Sequence, residues 1–177
     1  MIKFVGKWGT WGTWEHCPKG SYVYGYKMKS ERNQGQGKDD DDSATNGIQL
    51  LCYKGDGSGS ANGQLTSSEG PWGDWLSSRK CATGKPITGF KVQFEKQQGN
   101  GDDTALNKVR MYCGKTNDNN IIEAPTYTAW GTWRDIVSCK PGFAVTGLAT
   151  RVEPDQGGGG GDDSAMNGMA VMCTYYG

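Results

Sequence analysis

The sequence predicts an all-β protein, a prism of three four-stranded sheets closed around a pseudo-threefold axis, with one disulfide inside each of three repeats. Three observations carry that prediction. A long phrase of residues occurs three times in register, and the six cysteines fall as one pair per copy. No segment sustains a 3.6-residue apolar period over the roughly ten positions a helix needs. The chain of 177 residues is expected to be a single domain, 1–177, with internal repeats at about 5–53, 71–113 and 128–173.

Each copy opens on a Trp-Gly-x-Trp unit whose second tryptophan stands six residues before a cysteine. The units are Trp8/Trp11 before Cys17, Trp72/Trp75 before Cys81 and Trp130/Trp133 before Cys139; Trp14 is an extra with no counterpart. A turn and a glycine pair five apart follow: Gly20/Gly25, Gly84/Gly89 and Gly142/Gly147. Next comes an alternating segment, clearest in Phe90, Val92 and Phe94, whose period of two reads as a half-buried strand. It ends at Glu31, Glu95 or Glu153, and three residues later stands Gln34, Gln98 or Gln156. A polar loop then carries Asp41/Asp42, Asp102/Asp103 or Asp162/Asp163, with Asn46, Asn107 or Asn167 four residues beyond the second Asp. The last strand alternates through Ile48/Leu50, Val109/Met111 or Met169/Val171 and closes on Cys52, Cys113 or Cys173.

Between copies, 54–63 is Gly/Ser-rich and reads as a flexible linker, while Ile121-Ile122 suits a short edge strand. About four short strands per copy fit the turn spacing, and one such sheet cannot bury its apolar face alone. Three sheets must therefore close on one another. The repeat makes Cys17–Cys52, Cys81–Cys113 and Cys139–Cys173 the simplest of the 15 pairings that six cysteines allow. Disulfides of this kind imply an oxidising compartment, so a secreted, extracellular chain is expected. Its start, Met1 to Gly6, is too short and polar for a signal peptide, and a mature chain is expected.

Composition narrows the partners. Apolar residues are 34% of the chain, yet seven Trp, eight Tyr and four Phe suffice for an aromatic-rich core. With 19 basic and 19 acidic residues the formal charge is zero, which argues against nucleic acid and anionic membranes as partners. No apolar run is long enough for a transmembrane segment, and no Asn-x-Ser/Thr acceptor is present.

The phrase Trp-Gly-x-Trp, Cys, Gly, Glu-x-x-Gln-Gly, Gly-Asp-Asp-[Thr/Ser]-Ala-x-Asn, Cys resembles the vitelline membrane outer layer protein I family. The resemblance covers nearly the whole chain, in triplicate. It implies a β-prism of three Greek-key sheets in a secreted protein associated with egg coats and other secretions.

The candidate chemistry lies in the acidic loops and the indoles. Asp41, Asp42, Asp102, Asp103, Asp162 and Asp163, with Gln34, Gln98 and Gln156, are candidate ligand contacts, but a turn role suits a feature needed in every copy. Glu31, Glu95 and Glu153 are weak candidates for a glycoside-hydrolysing carboxylate pair. Asp39, Asp40, Asp41 and Asp42 form a weak calcium candidate, although no EF-hand spacing exists, and zinc is poorly served by the lone His16. No cofactor is expected. The recurring Trp pairs are expected to fill the space between sheets, leaving Trp14 as the exposed ring and a candidate ligand contact. The reading is a structural or carbohydrate-associating, non-catalytic extracellular component, with glycans or matrix proteins as partners. A glycan-processing enzyme, a lectin and a self-assembling or mineral-associated matrix protein are the alternatives.

Overall fold

The alternating segments become long antiparallel hairpins in the computed structural model, which describes residues 1–32, 45–95, 106–154 and 166–177. The chain opens with β1 (Ile2–Val5), two short pieces β2 (Thr10–Trp11) and β3 (Glu15–His16), and the long pair β4 (Ser21–Ser30) and β5 (Thr45–Lys54). A second set follows as β6 (Gly63–Leu65), β7 (Asp74–Trp75), β8 (Arg79–Lys80), β9 (Ile87–Phe94) and β10 (Leu106–Cys113). The third is β11 (Ile121–Glu123), β12 (Thr132–Trp133), β13 (Val137–Ser138), β14 (Phe143–Val152) and β15 (Met166–Tyr175).

These strands form three antiparallel sheets of four positions each, the fourth position being filled by two short pieces of one interrupted strand. The orders are β6-β5-β4-β7, with β8 also on β4, and β11-β10-β9-β12, with β13 also on β9. Three consecutive strands with the next returning beside the first is the Greek-key order. In the remaining sheet, β1-β15-β14-β2 with β3 also on β14, the chain's beginning supplies the third and fourth positions to its final hairpin.

Sheets and sequence repeats are therefore offset. Each hairpin receives its fourth strand from the Trp-Gly-x-Trp segment of the next copy, and the first copy's segment closes the circle onto the last hairpin. The edge strand expected at Ile121-Ile122 is β11, paired with β10 through Ile122↔Met111.

All three expected disulfides form: Cys17–Cys52, Cys81–Cys113 and Cys139–Cys173. They lie within repeats in sequence but join neighbouring sheets in space. Each first cysteine extends one ladder, with Cys17 N donating to Thr146 O, Cys81 N to Tyr24 O and Cys139 N to Thr88 O. Each second cysteine belongs to the long hairpin of the next sheet, in β5, β10 or β15.

The inward faces meet in one apolar cluster. Met28, Ile48 and Leu50, Phe90, Val92, Val109 and Met111, and Leu148, Met169 and Val171 are all buried, as the period of two requires. Tyr26 reaches across this core: its hydroxyl donates to Val109 O (2.6 Å) and accepts from Ala124 N (2.7 Å). The 54–63 linker is not a free spacer. Gly55 N donates to Gly20 O, Lys80 Nζ donates to Gly57 O at 2.7 Å, and Gly57 lies against the Tyr24 ring.

Candidate functional site

Three strand ends converge where the acidic loops depart. Thr45 Oγ1 donates to Asn107 O between the β5 and β10 sheets at 3.0 Å, and Phe4 meets Phe94 edge-on at 5.1 Å between the β1 sheet and that same β9–β10 sheet. The loops themselves, 33–44, 96–105 and 155–165, lie outside the described residues. So do the candidates Gln34, Gln98, Gln156, Asp39 to Asp42, Asp102, Asp103, Asp162 and Asp163. Glu31, Glu95 and Glu153 are described, each half-buried just beyond β4, β9 or β14.

The Trp-Gly-x-Trp glycines place an indole beside each of these strand ends. Gly9, Gly73 and Gly131 have φ of 91°, 84° and 88°, a region that suits glycine. A Cβ there would lie 2.5–2.7 Å from the carbonyl groups of Val152, Ser30 and Phe94, so the strand end leaves no room for a side chain. The preceding tryptophans stand out from the surface, Trp8 at 43% exposure, Trp72 at 48% and Trp130 at 57%. Gly131→Ala should thus destabilise the fold by roughly 2 kcal/mol, from the strained φ and the clash together. A urea titration checks this; an unchanged midpoint would mean the unit does not hold the strand end.

The expectation that the Trp pairs fill the core is overturned. Aliphatic residues and buried tyrosines fill it instead, because each unit forms the fourth strand position at a sheet edge rather than a central one. The second indoles lie along the outer faces. Trp75 has Lys27 over its ring at 5.2 Å, and Trp133 has Lys91 at 5.5 Å and Arg110 at 4.2 Å. Trp11 is 38% exposed, and Trp14, the expected exposed ring, 36%.

Two features escape sequence reasoning. Asn46, Asn107 and Asn167, read as part of the loops, are buried strand residues. Asn46 O accepts from Gly70 N and Asn167 O from Gly6 N, so the asparagine strands anchor the segments that pass beside them. The other feature is a charged group on the outer face of the β9–β10 sheet, where Glu123 accepts from Lys108 at 3.0 Å and from Arg110. Burial alone would raise the Glu123 carboxyl, but the Arg110 and Lys108 hydrogen bonds outweigh it and hold the group below its ordinary value. Register pairs Arg110 with Glu123, which sequence spacing did not suggest. Among the described residues no group of three His, Cys, Asp or Glu side chains is placed to hold a metal ion.

Comparison with known proteins agrees with this architecture. A family model described as "Vitelline membrane outer layer protein I" matches residues 2–175. A human vitelline membrane outer layer protein 1 homolog is 34% identical over 170 residues, covering 95% of this chain and 78% of that protein. The mouse homolog is 32% identical, covering 95% and 79%. Among solved structures, Calystegia sepium agglutinin superimposes with a TM-score of 0.58 at 13% identity over 99% of this chain and 96% of that one. A mannose-binding jacalin-related lectin from Ananas comosus gives 0.54 at 14% identity, over 99% and 98%. At such identities the likeness is one of fold.

Proposed function

This chain belongs to the vitelline membrane outer layer protein I family, and on that footing we propose that it is a secreted, non-catalytic, carbohydrate-associating component of an extracellular coat, matrix or secretion. One observation carries the reading: five of the seven tryptophans, Trp8, Trp11, Trp14, Trp72 and Trp130, are exposed. Indoles are costly to leave in water, and a flat exposed ring is a good partner for the C–H face of a sugar. Two further facts support it. Three disulfides suit an oxidising compartment. The shared fold also serves a lectin solved in complex with a biantennary N-glycan and the mannose-binding lectin above.

A glycan array probed with the disulfide-intact chain, followed by titration calorimetry, tests this. Binding of uncharged oligosaccharides with Kd at or below about 1 mM is expected, an affinity of about −4 kcal/mol. Silence on the array and in calorimetry at that concentration would remove the reading. Turnover of an N-acetylglucosamine oligomer, lost in Glu31→Gln, Glu95→Gln or Glu153→Gln, would replace it with a catalytic one.

A further inference from the structure

The three sheets differ on their outer faces. Register sets Lys27 opposite Gln49 on the β4–β5 hairpin and Lys91 opposite Arg110 on the β9–β10 hairpin. At the same level of the β14–β15 hairpin Ala149 faces Ala170, and beside them Arg151 faces Gly168. At the alanine level long polar side chains give way to two buried alanines on this sheet alone, whereas Arg151/Gly168 has its counterpart in Lys29/Gly47 on the β4–β5 hairpin.

The interrupted fourth strand departs in the opposite sense. Counted back from the following cysteine, Trp11, Trp14 and His16 correspond to Trp75, Ser78 and Lys80, and to Trp133, Ile136 and Ser138. Only the first set places an aromatic ring at all three positions. Trp14 and His16 are stacked, with centroids 6.1 Å apart and planes 18° from parallel. The rings lie close to the strands beneath: a Cβ on Gly147 would be 2.8 Å from His16 Nδ1, and one on Gly168 would be 3.4 Å from the Trp11 six-membered ring.

Register pairs Arg151 with Trp11, but among the described residues no Lys or Arg stands over Trp11 or Trp14, whereas Trp75 and Trp133 are both capped by cations. Arg151 is engaged by the carbonyls of Gly9 (2.8 Å) and Gly6 (2.9 Å), and Glu15 accepts from Thr66 N at 2.6 Å. What remains is an exposed row of rings whose neighbouring cation is held by backbone carbonyls. Trp11 and Trp14 are three residues apart in the chain, a reach of at most roughly 10 Å.

We infer that Trp11, Trp14 and His16, on the outer face of the β14–β15 sheet, form a stacking platform for an uncharged β-linked oligosaccharide. A β-linked chain with equatorial substituents presents flat C–H faces at successive rings, and stacking of those faces on indoles needs no ionic group on the sugar. This rests on the proposed carbohydrate association and gives it a location away from the acidic-loop end.

The test uses the full chain titrated with oligomers of N-acetylglucosamine, glucose and mannose. Two variants install what the sibling sheets carry: Trp14→Ser, and the pair Ala149→Lys with Ala170→Arg. Each should weaken binding at least about tenfold with near-UV circular dichroism retained, while Tyr127→Ala and Ile121→Ala, at exposed apolar side chains away from this row, change it less than about twofold; Trp72→Ala and Trp130→Ala are measured alongside. On the wild-type chain the indole N–H signals of Trp11 and Trp14 should shift on titration and those of Trp72 and Trp130 should not, which decides the matter if a variant misfolds. A wild type that binds sugar with unmoved Trp11 and Trp14 signals, or with its loss confined to Trp72→Ala or Trp130→Ala, overturns the platform and leaves the broader reading standing. A wild type that binds no oligosaccharide overturns both. A dimer that dissociates in Trp14→Ser would reassign the face to self-association.

Discussion

Replacing Cys139 and Cys173 together by serine is expected to destabilise the protein by about 3–4 kcal/mol, the loop-closure value for a crosslink of this length. Their sequence separation is 34 residues, and the bond joins two different sheets. Cys139 N is tied to Thr88 O on β9, while Cys173 lies in β15. Cutting this link leaves the last hairpin held by packing and by its pairing with β1, β2 and β3 from the far end of the chain. Such long-range pairings carry the largest chain-entropy cost of any in the fold. In a reversible thermal melt the loss should lower Tm by roughly 10 °C. A shift under about 2 °C would show that sheet closure does not depend on the staple.

Tyr26→Phe should cost roughly 2–4 kcal/mol, although it removes a single oxygen. The hydroxyl is shared by the Val109 carbonyl and the Ala124 N–H, with the Ile122 carbonyl at 3.3 Å, and Tyr26 itself is fully buried. The substitution leaves a donor and an acceptor in the core without that partner, which costs far more than a methyl-sized change in volume. Desolvation raises the Tyr26 phenol well above its ordinary value, against the opposing pull of the Ala124 hydrogen bond. A phenol raised by folding gives stability that is complete below about pH 10 and is lost as pH rises above it. The wild type should therefore weaken above that pH, and Tyr26→Phe should weaken less steeply. Urea titrations at neutral and alkaline pH would show both effects; a variant as stable as the wild type at neutral pH would assign the contact no net role.

Much of this was legible in the residues. In-register phrases announced three equivalent sheets, and alternation through Ile48, Leu50 and Cys52 or Val109, Met111 and Cys113 announced which side faces inward. The cysteine pairing followed from the repeat itself. These are local properties, since side-chain direction in a strand is set by the backbone period. The asymmetry that marks the platform was also written in the chain, in Trp14, His16, Ala149 and Ala170 where the other copies hold different residues. Its meaning was not, because strand partners come from different copies.

The tryptophan pairs show why. Their recurrence suggested core residues, but a residue's burial depends on which strand position it occupies, and each pair crosses to its neighbour's sheet edge. Tyr26 shows the same limit, for its partners lie 83 and 98 residues away. By itself the sequence determined the strand pattern, the three sheets and the disulfide pairing, because repetition and alternation act through nearest neighbours along the chain. Only the tertiary structure decided that sheets are shared between repeats, that the staples bridge sheets, and that the indoles face solvent. Those depend on contacts across the closure, where sequence distance says nothing about proximity.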